Sequence, residues 1–295
     1  MKLNKKLLAT GVLAASIFAG QAWGAVSAEE AAKLGKSLTP MGAEKSGNGG
    51  TIPAWTGGLT TPPAGYKNDG IYVNPFPNEQ PKFTIDQSNV EQYKDNLSPG
   101  QVAMIERYDD YFMPVYETHR TAAYPQEVME QTVENATEVE LIKDGNGLGN
   151  YQSATPFPIP QNGLEAIWNH ITRYRGGSVQ RNVGQVTPTE GGEFSVVKFQ
   201  DELTWRTYLA DYEPGMDPNV LFYFKQAITA PARLAGNVLL VHETIDQVAE
   251  PRRAWVYNAG QRRVRRAPQV AYDGPGTASD GMRTSDNFDM FNGAP

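Results

Sequence analysis

The hydrophobic pattern changes its period in the second half of the chain, and this change constrains the fold more than any other feature. At 163–175 the apolar residues recur every three to four positions, which is typical of a helix with one apolar face, and Trp168 lies on that face. Beyond residue 176 apolar and polar residues alternate, which is typical of half-buried strands. Five such segments follow, at 194–200, 203–210, 220–228, 238–245 and 253–257.

Short glycine and proline runs separate these segments and favour hairpins between them. We therefore predict a mainly β (α+β) chain in which region 176–270 forms an antiparallel meander and the helix at 163–175 covers one of its faces. A polar tail follows at 271–295 and ends without a closing element.

The N-terminal half is less regular. Frequent prolines and glycines predict an irregular wrap over 25–85, opened by a short helix at 28–36 and pinned to the body by Trp55. Region 86–175 is predicted to hold helices and short strands. Its elements are helices at 86–96 and after the capping box Ser98–Gln101, and strands at 112–124 and 133–142. We predict a single domain spanning 25–295.

The first 24 residues have the pattern of a cleavable signal peptide. Three lysines precede an apolar run at 7–20 that is too short to span a bilayer. Small residues Ala22 and Gly24 suit a cut before Ala25, and a cut after Ala28 fits nearly as well. We predict export to the periplasm, with an uncleaved anchor helix as the alternative.

Composition excludes several classes of protein. The chain contains no cysteine, which rules out a lipid anchor on cysteine, disulfides and thiolate metal sites. The formal charge of -7 becomes -7 - 3 = -10 without the three leader lysines, so nucleic acid is not an expected partner. No second apolar stretch approaches transmembrane length, and we predict no transmembrane segment after cleavage.

The apolar face of the predicted meander is the candidate binding surface. Alternation puts Phe222 and Phe224 on one face of their strand, and Leu239 with Val241 on one face of the next. One interpretation is an ordinary hydrophobic core; the other is a cavity that accepts a hydrophobic ligand. For such a cavity we expect seven lining residues: Phe222, Phe224, Leu239, Val241, Trp255, Tyr257 and Trp168.

Catalytic and metal motifs are missing from the sequence. The three histidines, His119, His170 and His242, are far apart and lack metal-ligand spacing. No serine elbow is present, and the glycine-rich run at 144–149 is interpreted as a turn. We therefore expect no catalytic residue, no metal and no cofactor.

Arginines crowd one predicted hairpin, which carries Trp255 and Tyr257 on its first strand. They are Arg252, Arg253, Arg262, Arg263, Arg265 and Arg266. One interpretation is an edge hairpin protected by charge; the other is a docking surface for anionic head groups or an acidic partner.

Several long strings resemble the domain-of-unknown-function family 1329, and the resemblance covers the whole mature chain. They include Leu-Thr-Pro-Met-Gly-Ala-Glu at 38–44, Gly-Thr-Ile-Pro-Ala-Trp-Thr-Gly-Gly at 50–58, and the segments 113–116, 118–125, 156–160, 162–170 and 173–177. The resemblance implies a fold similar to the lipoprotein carriers LolA and LolB, a curved antiparallel half-barrel that is not closed and is lidded by helices. It also implies further strands beyond 287–295, so we expect the half-barrel to be incomplete here.

The same resemblance implies a role in the cell envelope. Proteins of this kind occur beside an RND-type (MMPL) exporter and an outer-membrane protein. We therefore expect a periplasmic binding or carrier protein for a hydrophobic or lipid-like ligand. The alternatives are an envelope hydrolase or lyase acting on a polyester or glycan, with His119 or His170 as acid or base, and a purely structural partner of an exporter.

Overall fold

A computed structural model describes residues 25–268 and 270–288. The helices are α1 Ala28–Ala31, α2 Val90–Tyr93, α3 Pro99–Arg107, α4 Gln126–Glu138, α5 Gly163–Ile171 and α6 Ser285–Phe288. The strands are β1 Phe83–Ile85, β2 Met113–Val115, β3 Glu140–Ile142, β4 Gly147–Gly149, β5 Ser178–Pro188, β6 Phe194–Trp205, β7 Val220–Ala230, β8 Val238–Thr244, β9 Arg253–Asn258 and β10 Arg263–Arg266. The predicted leader, 1–24, and the end of the predicted tail lie outside the described residues.

One six-stranded sheet dominates the molecule. Its strands follow the order β10-β9-β8-β7-β6-β5, every neighbouring pair is antiparallel, and β5 and β10 form its two edges in the described residues. The predicted fold class is confirmed, because the chain is mainly β, with a large antiparallel sheet that is not closed into a barrel and few helices.

The number of strands in the meander was predicted incorrectly. Segment 194–200 and the start of segment 203–210 form one strand, β6, which continues through Asp201 and Glu202 and ends at Trp205. The rest of the second segment is not strand, because residues 206–208 form a 3-10 turn. Asp201 is buried at 1% exposure because Arg181 and Gln226 on the neighbouring strands bind its carboxylate. β5 was not predicted, since its residues are mostly polar and alternate between exposed and half-buried positions.

The predicted strand at 133–142 is wrong over most of its length. Residues up to Glu138 belong to α4, and only β3 at its end is a strand. The buried face of α4 includes Thr132 and Asn135, and the Asn135 side-chain amide donates to the backbone oxygens of Ser153 and Thr155. The segment 133–142 runs from the second half of α4 into β3, so it contains only part of the helical pattern of α4.

The N-terminal region matches its prediction in part. Ser98 and Gln101 form the expected reciprocal capping box of α3. Trp55 donates its indole N–H to the backbone oxygen of Ala122 at 2.9 Å, which ties the irregular segment to the body. The predicted helix at 28–36 ends at Ala31, and regular strand at 112–124 is limited to β2.

Helix α5 closes one end of the sheet. The Asn162 side chain caps it by accepting from the Glu165 N–H, and the helix ends at Ile171, four residues before the predicted end. Trp168 is buried, as predicted, and donates to the backbone oxygen of Gly145 at 2.9 Å. Leu164, on the predicted apolar face, is instead 45% exposed.

The helices within the described ranges are short or polar, and none of them is long and apolar enough to cross a membrane.

Candidate functional site

The register of the central strands assigns the predicted cavity residues to two opposite faces. Phe224 of β7 pairs with Val241 of β8, and Gln226 pairs with Leu239, so these side chains share what we call the cavity face. Trp255 pairs with Leu240, and Tyr257 with Val238, on the other side of the sheet. Four of the seven predicted residues, Phe222, Phe224, Leu239 and Val241, are thus brought together, whereas Trp255 and Tyr257 are not.

A cavity of about 80 Å³ lies on the cavity face. Its floor is apolar and is formed by Leu203, Phe222, Phe224, Leu239 and Val241. The opposite wall comes from the covering segment 270–288, through Val270, Pro275, Gly276, Thr277, Arg283 and Ser285. The first part of the predicted polar tail therefore covers this face of the sheet.

The covering segment is held at its far side by side chains of β5. Gln185 donates to the backbone oxygens of Thr277 and Ala278 and accepts from Nε of Arg283 at 2.9 Å. These bonds join the segment to an edge strand, and Val270 and Ala278 also pack against buried side chains of the middle strands.

Trp168 does not line this cavity. It belongs to a buried apolar cluster with Trp205, Phe222 and Leu221 under α5. A separate cavity of about 160 Å³ borders this cluster at Trp205 and Leu221. The predicted inward orientation of Trp168 was correct, but its indole fills core space beside the cavity.

Four arginines surround the apolar floor: Arg175, Arg181, Arg252 and Arg283. Arg252 binds Oε2 of Glu243 through both Nε, at 2.8 Å, and Nη2, at 2.5 Å. This pair is largely desolvated, since the side chains are 11% and 2% exposed. The other oxygen of Glu243, Oε1, is buried and accepts no hydrogen bond within the described ranges.

The remaining arginines reach the cavity from separate elements. Nε of Arg181 donates to Asp201 at 3.2 Å, and the guanidinium of Arg175 lies 5.7 Å from the ring centre of Trp205. Burial lowers the pKa of the Arg283 guanidinium, although the nearby Asp201 carboxylate acts in the opposite direction. Sequence patterns did not find this set, because its members lie far apart in the chain.

The opposite side of the sheet carries a more open groove of about 440 Å³, on what we call the groove face. It is lined by Lys225, Val238, Leu240, His242, Trp255, Tyr257 and Val264. Burial, and next the charge of Arg253, lower the pKa of His242. Burial, with the hydrogen bond to Asp217 second, raises the pKa of Tyr223 to about 12.

The three histidines lie in different surroundings. His119 is bound to Glu79 at 2.9 Å and stacks on Phe76. His170 contacts Arg173, and His242 lies edge-on to Trp255. Within the described ranges no group of histidines and carboxylates is arranged to hold a metal ion.

The arginine-rich hairpin is the β9–β10 pair at the edge of the sheet. All four residues of β10 are exposed. Arg252, just before β9, forms an ion pair with Glu243. Arg253, the first residue of β9, forms an ion pair with Glu250.

Comparison with known proteins identifies relatives of this chain. A family model described as a protein of unknown function, DUF1329, matches residues 84–295. An uncharacterised protein of Pseudomonas aeruginosa is 65% identical over 297 residues, an alignment that covers 100% of this chain. The chain spans only 65% of the length of that relative.

Two solved structures show a weaker likeness. A DUF1329 family protein from Desulfovibrio piger is 16% identical, with a TM-score of 0.28 over 39% of this chain and 42% of that chain. A domain from Vibrio parahaemolyticus, provisionally described as an outer-membrane lipoprotein-sorting protein, is also 16% identical, with a TM-score of 0.31 over 44% and 48% of the two chains. TM-scores of 0.28 and 0.31 mean that neither likeness extends over the whole fold.

Proposed function

From the premise that this chain belongs to the DUF1329 family of proteins of unknown function, we propose that it is a binding or carrier protein for a hydrophobic or lipid-like molecule. The ligand is sheltered between the cavity face of the sheet and the covering segment 270–288. An envelope location, and transfer of the ligand to an RND-type exporter or an outer-membrane protein, belong to the same proposal and rest on the predicted leader and the family resemblance.

The observation that carries the proposal is the apolar floor of a cavity that its own side chains leave unfilled. Leu203, Phe224 and Val241 lie side by side on neighbouring strands, where most sheets are covered by a packed layer. Apolar clefts with a few polar groups at their margin are the usual form of small-molecule sites.

The size of the cavity indicates how a ligand lies in it. Its volume of about 80 Å³ is below the roughly 300 Å³ at which typical ligand pockets begin. A long acyl chain would therefore occupy the cavity with one part and extend along its mouth with the rest. Each methylene that leaves water contributes about 0.8 kcal/mol, and micromolar binding needs about 8 kcal/mol, so about ten methylenes must leave water in the cavity and along its mouth.

A fluorescent probe tests this proposal. We expect the uncharged methyl ester of dansylated undecanoic acid to bind the purified protein with a rise in emission, and lipid to be found in solvent extracts of the protein. Leu239→Gln, which places an amide on the cavity floor, should weaken binding about tenfold.

The matched control is Leu240→Gln, the next residue on the same strand, whose side chain lines the groove face. This variant should bind the ester as the unmodified protein does. Equal loss in both variants, or no binding of the ester to the unmodified protein, contradicts the proposal.

The geometry of the site gives little support to the enzymatic alternative. It requires a histidine, a carboxylate and a hydroxyl in one cleft. His119 has a carboxylate partner in Glu79 and its ring stacks on Phe76, whereas His170 lies in a different place, where it contacts Arg173. Catalysis is therefore no part of the proposed function.

A further inference from the structure

We infer that the chain has a second binding site, in the cavity of about 160 Å³ beside Trp205 and Leu221, and that this site takes an uncharged, hydroxyl-rich ring of the size of a monosaccharide. We call this space the second cavity. It is separate from the cavity under segment 270–288, so the inference goes beyond the proposed function and does not depend on it.

The second cavity is formed by elements from distant parts of the chain. Its walls come from the first turns of α4, the loop 151–154, the residues after α5, the end of β6 with the turn that follows it, and the start of β7. A cavity of about 150 Å³ is large enough to hold one six-membered ring. The volume therefore suits a single ring better than a long chain.

The lining is rich in aromatic rings and uncharged polar groups. The aromatic residues are Tyr151, Tyr174, Trp205 and Tyr208, and the uncharged polar residues are Gln131, Gln152, Ser153, Thr172 and Thr207. The C–H groups of a sugar ring pack on aromatic surfaces, and its hydroxyls exchange hydrogen bonds with amides and hydroxyls. The composition of the wall therefore matches a ligand that has both kinds of surface.

Several hydrogen-bonding groups of the wall are available to a ligand. Within the described ranges, no hydrogen-bond partner is found for the side-chain hydroxyls of Ser153, Tyr174, Thr207 and Tyr208. The indole N–H of Trp205 is buried and also lacks an acceptor there. Each hydroxyl can both donate and accept, as the hydroxyls of a sugar do. A hydrocarbon ring would leave these groups without partners.

Other polar groups of the wall are already bonded and hold it in shape. The Tyr151 hydroxyl donates to the backbone oxygen of Ala154 at 2.9 Å, and the Thr172 hydroxyl donates to the backbone oxygen of Trp168 at 2.7 Å. Ala154 has a φ of 67°, in the left-handed region that alanine rarely adopts. Such a conformation persists only where its surroundings fix it, so the neighbouring Ser153 is held in place at the cavity.

Tyr208 is positioned by a close approach to the backbone. Its ring lies so near Gly177 that a Cβ at that position would be 2.0 Å from Cδ1 of Tyr208. Burial raises the pKa of Tyr208, and the neighbouring Tyr174 and Glu127 act in the same direction. These three side chains therefore lie close together, and the Tyr208 phenol stays protonated as a donor at neutral pH.

Charge favours an uncharged ligand. The lining contains one ionised side chain, Glu127, which repels anions. The buried guanidinium of Arg206 lies behind the wall, with Nη2 3.1 Å from Oε1 of Gln152, and opposes a cation. A neutral molecule avoids both repulsions.

Calorimetric titration of the purified protein with glucose, galactose, mannose and N-acetylglucosamine tests the inference. We expect at least one of these sugars to bind with a dissociation constant of about 1 mM, as suits a ligand of about twelve non-hydrogen atoms. Cyclohexanol, which has a six-membered ring with one hydroxyl, should bind at least about tenfold more weakly. Binding of none of the four sugars overturns the inference, and so does equal affinity for cyclohexanol.

Variants then locate the bound sugar. Tyr208→Phe and Thr207→Val each remove a hydroxyl that has no partner among the described residues and keep the size of the side chain, so the fold should be retained. Each should weaken binding of the sugar about threefold to tenfold. The matched control Tyr116→Phe removes an exposed hydroxyl outside the second cavity and should leave the affinity unchanged. Unchanged affinity in both cavity variants overturns the inference, because the sugar then binds elsewhere.

Crossed measurements distinguish the two cavities. Leu239→Gln should not change the affinity for the sugar, and Tyr208→Phe should not change binding of the dansylated ester. Loss of sugar binding in Leu239→Gln would assign the sugar to the other cavity and overturn the inference. Failure of the ester alone to bind contradicts the proposed function and leaves the second cavity as a sugar site.

Discussion

Two positions of strand β7 have the same side chain and different surroundings. Phe222 is 5% exposed, packs edge-on against Trp205 in the cluster under α5, and reaches the margin of the cavity. Phe224, two residues along the strand and on the same face, is only half-buried and borders the cavity. We call the part of the sheet under α5 the closed end, and the part under the irregular segment 270–288 the hollow end.

This contrast shows what converts an apolar sheet face into a binding site. A helix with an apolar face supplies large side chains that fill the space above the strands. The covering segment supplies small or polar groups, such as Gly276, Thr277 and Ser285, and leaves a gap. Phe222 and Leu203 contact both regions, because they belong to the cluster under α5 and also line the cavity under the covering segment.

The largest expected effect comes from truncating one phenylalanine at each end. Phe222→Ala should lower the free energy of unfolding by about 3–5 kcal/mol, because it opens a void in packed core. Phe224→Ala should lower the free energy of unfolding by only about 1–2 kcal/mol, because a half-buried ring beside a cavity makes fewer packing contacts. Urea unfolding, followed by tryptophan fluorescence, measures the loss of unfolding free energy in each variant. Equal costs would show that the two ends are packed alike.

The second effect concerns the buried ion pair at the hollow end. Arg252→Met leaves the Glu243 carboxylate buried without its partner and should cost about 3 kcal/mol of unfolding free energy. In the double variant with Glu243→Leu, an apolar pair replaces the ionic one, and stability should return to within about 1 kcal/mol of the original. If the double variant is as unstable as Arg252→Met, the desolvated charge is not the cause.

A smaller effect is expected at the helix that covers the closed end. Asn162→Ala removes the cap of α5 and a hydrogen bond to the buried carboxylate of Glu165. The loss should be about 1–2 kcal/mol, because a side-chain cap contributes roughly that much. Thermal unfolding by circular dichroism tests this, with Asn162→Ser as the control that retains capping ability.

The smallest expected effect is on the pH dependence of stability, and it comes from His242 on the groove face. Burial, followed by the charge of Arg253, lowers the pKa of His242 below the ordinary 6.5 of the unfolded chain. The unfolded state therefore takes up the proton first, and the free energy of unfolding should fall as the pH drops below about 6.5. In His242→Phe this part of the pH dependence should disappear. An unchanged slope between pH 7 and pH 5 would show that His242 is not desolvated.

The four predicted residues that share the cavity face follow from a simple rule. Side chains two positions apart on a strand lie on the same face, which groups Phe222 with Phe224 and Leu239 with Val241. The rule gives no relation between separate strands, because a shift of one residue turns every side chain to the other face. That is why Trp255 and Tyr257 were assigned to the cavity and lie on the groove face.

Polar elements were the other source of error. Strand β5 and helix α4 bury few apolar side chains, and their stability comes from partners such as Asp201, Thr155 and Ser153 in other elements. Sequence patterns report local periodicity, so partners that are distant in sequence leave no signal in them. The arginines of the cavity were missed for the same reason.

By itself, the sequence determined that this chain forms an antiparallel sheet and one helix with an apolar side, since these properties depend on the order of neighbouring residues. It also determined that no disulfide or thiolate site exists, because the chain has no cysteine. Only the tertiary structure decided where cavities remain beside the sheet and which residues line them. That outcome depends on the volume of side chains that α5 and the segment 270–288 bring to the sheet from distant parts of the chain.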